Sequence, residues 1–185
     1  VLAYMYLMLR KAEENNISVK KSAFVEYGKS VTFYTGVESW FDRINEYGKS
    51  IGLNIHHYII SSGIKEMIEG TKISDKFERI YACSFLYNVD DIAKWPAVCV
   101  NYTNKTQFIF RLNKGILDVH DDSVNEYMAD QDKPLPFENM IYIGDGLTDV
   151  PCMKLVKANG GYSIAVYTKG KRSKVESSIE HERAD

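Results

Sequence analysis

The sequence predicts an α/β protein built around a parallel sheet. Three observations carry that expectation. β-prone apolar runs alternate with amphipathic helical stretches along most of the chain. One such run, residues 53–60, leads into Ser61-Ser62-Gly63. Another, residues 140–143, leads into Gly144-Asp145-Gly146. In parallel sheets the loops at the carboxyl ends of strands are where ligands bind, so polar residues there matter most.

Taken in order, residues 1–15 read as a helix, because Leu2, Met5, Leu9 and Ala12 share one face. Residues 17–28 read as a second helix stopped by Gly28. Val37, Trp40, Phe41 and Ile44 mark an amphipathic helix running to Gly48. A strand over residues 53–60 is expected to break at Ser61-Ser62-Gly63 and to be followed by a short helix over 64–69. Residues 79–87 and 93–102 are β-prone and flank the turn-rich residues 88–91, which predicts a hairpin. Residues 106–114 read as a helix closed by Gly115, with helical character again at 124–128. Two prolines make 133–138 a loop. A strand over 140–143, a helix over 149–156 and a strand over 163–167 complete the series.

Bulk properties narrow the function. The chain has 185 residues, 45% hydrophobic and 26% charged, with a formal net charge of -2. That balance offers no basic footprint for nucleic acid. No apolar run reaches the ~20 residues a membrane span needs. The apolar start, residues 1–9, is followed rather than preceded by Arg10 and Lys11, the reverse of a secretory signal. Cys83, Cys99 and Cys152 form no CxxC pair and fit reduced thiols in a cytoplasmic setting.

Three clusters can carry chemistry. In the first, an apolar strand delivers Asp145 to the sheet edge between two glycines, and Asp149 follows four residues later at a helix start. Two carboxylates aimed at one point suit Mg²⁺, which takes oxygen ligands and keeps several waters. The same residues also suit an exposed turn with Asp149 as helix cap. In the second, Ser61-Ser62-Gly63 can offer a hydroxyl and backbone amides to an anion, or can be a plain turn. In the third, Lys105 stands at a helix start, where the dipole prefers anions, and so has reason to meet a bound anion. Lys114, at the other end, suits the dipole. An acid pair, a lysine and a hydroxyl cradle together fit phosphoryl transfer, which depends on positioning and charge neutralisation.

These residues resemble a known family. Gly144-Asp145-Gly146-Leu147-Thr148-Asp149 is similar to motif IV of the haloacid dehalogenase-like (HAD) superfamily. Tyr58-Ile59-Ile60-Ser61-Ser62-Gly63 resembles its motif II, in the phosphoserine phosphatase-like form, and Asn104-Lys105-Thr106 resembles its motif III. The resemblance implies a Rossmann-like three-layer core with a parallel sheet over residues 31–185, and the last part of a helical cap over 1–30. It implies a phosphatase that acts on a small phosphorylated metabolite through an aspartyl-phosphate, with Mg²⁺ as cofactor. Ser61, Ser62, Gly63 and Lys105 would bind phosphate. Asp145 and Asp149 would form the metal site, and Ser61, Lys105 and Asp145 would serve catalysis.

The sequence departs from the family pattern in one large respect. The nucleophile motif, Asp-x-Asp-x-Thr/Val after a strand, is missing. The only Asp-x-Asp is Asp130-Gln131-Asp132, with no strand leading in. The expectation is therefore a chain lacking its first core strand and inactive by itself, with further strands also expected beyond Glu182-Arg183-Ala184-Asp185. The stretch between Lys105 and Asp145 is long for this family, which leaves Lys105 and Lys114 as alternatives for motif III. Two other readings remain: a non-catalytic phosphate- or metal-binding module of the same fold, and the phosphorylation domain of a P-type ATPase. The substrate and the oligomeric state cannot be read from the sequence.

Overall fold

A computed structural model of the chain describes residues 1–168; the expectation attached to residues 182–185 lies outside them. The chain divides into two compact units, Val1–Val100 and Asn101–Asp185.

The first unit opens with three helices, α1 (Leu2–Glu14), α2 (Lys21–Lys29) and α3 (Val37–Ser50). Each buries a stripe rather than a whole surface: Met5 from α1, Phe24 from α2 and Phe41 from α3 are all under 9% exposed. Phe24 stacks on Phe85 at 5.5 Å between ring centroids. Phe41 meets Phe77 and His57 edge-on. Strands β1 (Tyr58–Ile64), β2 (Arg79–Tyr87) and β3 (Ala93–Val98) form one sheet in that order, with helix α4 (Lys65–Glu69) between β1 and β2. β1 and β2 are parallel, and β2 and β3 antiparallel. β2 is thus the central strand. It buries consecutive residues, Tyr81, Ala82 and Cys83, as a strand covered on both faces must.

The second unit holds α5 (Lys105–Lys114), β4 (Ile141–Gly144), α6 (Val150–Ala158) and β5 (Tyr162–Ala165). β4 and β5 pair in parallel across α6. Their connection is the βαβ unit that the alternating pattern predicts. The α/β, Rossmann-like character of the chain therefore holds.

Four local expectations are corrected. The strand expected over 53–60 begins at Tyr58 and does not break at Ser61, but runs on to Ile64. Ile60 pairs with Tyr81 and Ile64 with Cys83, so Ser61, Ser62 and Gly63 together oppose the single residue Ala82. The glycine and serines make a bulge, not a stop. β3 ends at Val98 rather than 102. Beyond it Asn101 Oδ1 takes the Thr103 N–H and Asn104 Oδ1 takes the Asn101 N–H, which turns the chain into α5. The helical character expected at 124–128 is a 3-10 turn, Asp122–Asn125, held by Asp121 accepting from the Ser123 N–H. The second helix starts at Lys21, four residues later than expected.

Candidate functional site

Two groups of candidate residues lie in different units. In the second unit, β4 and the head of α5 bring two side chains and one backbone N–H onto one carboxylate. Lys105 stands in the first turn of α5 and is only 5% exposed. Its Nζ donates to Asp149 Oδ1 at 2.7 Å. The Tyr142 hydroxyl, from the middle of β4, donates to the same oxygen at 2.8 Å. The other oxygen, Asp149 Oδ2, lies 3.4 Å from the Asp145 backbone nitrogen, which donates to it. Asp149 precedes α6 as its N-cap residue, yet its side chain does not cap the helix. The carboxylate faces Lys105 instead.

The local sequence explains why this packing is possible. A Cβ on Gly144 would sit 2.6 Å from Asp149 Cβ and 3.0 Å from its Cγ. Only glycine lets the strand end pass so close to that carboxylate. Asp145, the next residue, is exposed at the strand end, and its carboxylate forms no ion pair among the described residues.

Burial keeps the Tyr142 hydroxyl and the Cys152 thiol protonated. Burial pushes the Tyr142 hydroxyl far above the usual tyrosine range, with the Cys152 and Asp149 charges adding to the effect. It stays protonated and donates. Burial likewise pushes the fully buried Cys152 thiol up to about 11, against contributions from the Tyr142 hydrogen bond and Lys105 that lower it. A buried lysine and a buried carboxylate at this distance offset each other's charge, which is the condition for burying either.

Of the two lysines left open by the sequence, Lys105 is the one against Asp149. Lys114 turns away and donates to the carbonyls of Val124 and Glu126. Arg111, 5% exposed, does similar work on the carbonyls of Asp118, Val119 and Asp121. Asn113 holds Leu135 O at 2.9 Å. The last turns of α5 thereby organise the long stretch before β4.

In the first unit, Ser61 Oγ accepts the Gly63 N–H at 3.0 Å inside the β1 bulge. The hydroxyl keeps its own proton as a donor. Ser61 and Ser62 are half-buried and Gly63 is exposed. Asp130-Gln131-Asp132 forms a 3-10 turn, with the 96% exposed Asp130 side chain paired to Lys133. It stands at no strand end.

Tyr142 is the residue the sequence reading missed. The available signal was a hydroxyl inside an apolar strand, one position off the Ile141 and Ile143 face and on the side of Gly144.

For Mg²⁺, the described residues hold no group of three or more His, Cys, Asp or Glu side chains. Asp145 fits as a single carboxylate ligand, since Mg²⁺ uses few protein oxygens. Asp149 fits a place behind that ligand, because its Oδ1 already receives Lys105 and Tyr142.

Two known proteins are similar to this chain. A crystal structure of a HAD family hydrolase from Salmonella enterica serovar Typhi superposes with a TM-score of 0.53, over 86% of this chain and 45% of its own, at 19% identity. The fold is that of a HAD hydrolase. A curated protein from Borreliella burgdorferi, itself uncharacterised, is 33% identical over 75% of this chain and 53% of its own length. The HAD-fold chain thus spans about half the length of both. No model of a known protein family matches it.

Proposed function

We propose that this chain supplies the phosphate- and metal-facing part of a Mg²⁺-dependent HAD-type phosphatase acting on a small phosphorylated metabolite. The observation that carries the reading is the buried Lys105–Asp149 pair beside the exposed Asp145 carboxylate at the end of β4. In this reading Asp145 ligates the metal. Asp149 fixes Lys105 through one oxygen and the Asp145 backbone through the other. Lys105 neutralises a phosphoryl oxygen. In the first unit, taken by itself, the Ser61 hydroxyl, whose oxygen accepts the Gly63 N–H, is a phosphate donor, with the Ser62 amide and Gly63 beside it. When bound, Mg²⁺ would offset the phosphate's negative charge.

The attacking aspartate comes, in this proposal, from sequence outside these 185 residues. The support is that the only Asp-x-Asp here lies in an exposed turn, and that the proteins it resembles are about twice as long. Residues 1–30 are proposed to close a cap that selects the substrate. The test uses the longer polypeptide and a panel of phosphorylated metabolites with Mg²⁺. Asp145→Asn is expected to lower kcat at least ~100-fold while the protein stays folded, in line with loss of one preorganised charge group. A near-normal rate would remove Asp145 from the site.

The same fold as a non-catalytic binding module is favoured by one observation, the Asp-x-Asp placed away from any strand end. It predicts Mg²⁺ or phosphate binding by the longer polypeptide without turnover of any ester.

A further inference from the structure

We infer that Cys83 and Cys99 form a redox pair that closes to a cross-strand disulfide under a peroxide. The register places them. Ser84 pairs with Val98 at the open end of the β2–β3 hairpin. Continued one step past the end of β3, that register would set Cys83 opposite Cys99. Opposed residues of antiparallel strands lie about 4.5–5.5 Å apart at Cα. A disulfide spans about 4.4–6.8 Å, a range that includes that separation. Opposed side chains also project to the same face. The two thiols are already in hydrogen-bonding contact.

The two sulfurs are unequal, as a sensing pair requires. Cys99 is partly open to solvent, whereas Cys83 is 1% exposed. Burial pushes the Cys83 thiol above its ordinary range, so it is the poorer first nucleophile. Cys99 sulfur therefore attacks hydrogen peroxide: an S–O bond forms, the O–O bond breaks, and the departing oxygen leaves as water with the thiol's proton. Cys83 sulfur then attacks the sulfenic sulfur: the S–S bond forms, the S–O bond breaks, and a second water leaves with the Cys83 proton. Two thiols and one peroxide give one disulfide and two waters.

Closure has a local consequence. The Cys83 S–H lies 3.5 Å from both Ser62 O and Val100 O, while its sulfur accepts the Val100 N–H at 3.2 Å. Oxidation keeps the acceptor and removes the donor, so the bulge at Ser61-Ser62-Gly63 loses one tether. Pair formation itself does not depend on the phosphatase reading, and its test contains no activity measurement.

The experiment exposes the reduced 185-residue chain to excess hydrogen peroxide, alkylates the remaining thiols, and maps peptides without reduction. The expected result is loss of two hydrogens, a peptide linking residues 83 and 99, and reversal by dithiothreitol. Cys99→Ser is expected to abolish the link and leave Cys83 a free thiol. Three results would overturn the inference: both thiols unmodified, Cys99 driven to sulfinic or sulfonic acid with Cys83 still free, or Cys99 linked between two chains.

Discussion

Lys105 and Asp149 bury opposite charges at 2.7 Å, and each depends on the other for its place. Among the described residues, replacing the lysine alone leaves the carboxylate with the Tyr142 hydroxyl and the Asp145 amide. Lys105→Met is therefore expected to cost about 3–5 kcal/mol in urea unfolding. Lys105→Met with Asp149→Leu should recover most of that loss, because an apolar pair of similar volume replaces a desolvated ion pair. A single variant as stable as the parent would mean that the pair contributes little. Cys152 gives a pH signature at the same scale. Its folded value, about 11, stands above its ordinary 9.0. Between those values the folded state holds more of the proton than the unfolded state, so stability is complete below pH 9 and falls as pH rises towards 11. Equilibrium unfolding across that window should show the decline, and Cys152→Ala should make it shallower, with Cys83 and Tyr142, also held protonated by burial, keeping the remainder.

Among the elements, the β2–β3 hairpin was legible because its turn residues do specific work. Asn88 Oδ1 accepts the N–H groups of Asp90 and Ile92, and Asp91 takes a positive φ of 56°. Asn88→Ala should lower stability by about 1–2 kcal/mol, since two backbone donors lose their acceptor. Thermal unfolding checks it. The end of β1 was less legible. Two serines and a glycine read as a break because glycine weakens strands. The parallel pairing to β2 resumes at Ile64, and that long-range fact is absent from local sequence. Lys105 and Asp149 were legible as candidates from their surroundings in sequence. Their mutual contact, 44 residues apart, was not, and neither was Tyr142, which a period-two reading files with the apolar strand. Cys83 and Cys99 likewise read as two unrelated thiols, because the pairing of Ser84 with Val98 beside them is a long-range fact.

At the scale of the whole molecule, the proposed chemistry needs an attacking aspartate that the described residues place at no strand end. The chain alone is expected to release no p-nitrophenolate from p-nitrophenyl phosphate with Mg²⁺. Robust turnover would show that the nucleophile lies within it. The fold itself was predictable because alternation of strands and helices is a chain-wide pattern that survives local errors of a few residues. The division after Val100 was not, since it falls in an ordinary turn without a linker's composition. One internal seam has a consequence for engineering. A Cβ on Gly28 would lie 2.1 Å from Met67 O, and one on Gly70 would lie 2.1 Å from Val25 O. Helices α2 and α4 therefore touch backbone to backbone, each helix needing the other's missing side chain. A chimaera that grafts foreign N-terminal helices onto this scaffold must carry glycine at the crossing. Without it the transplanted helix would be held off from α4, and the bulged end of β1 that runs into α4 would lose its support.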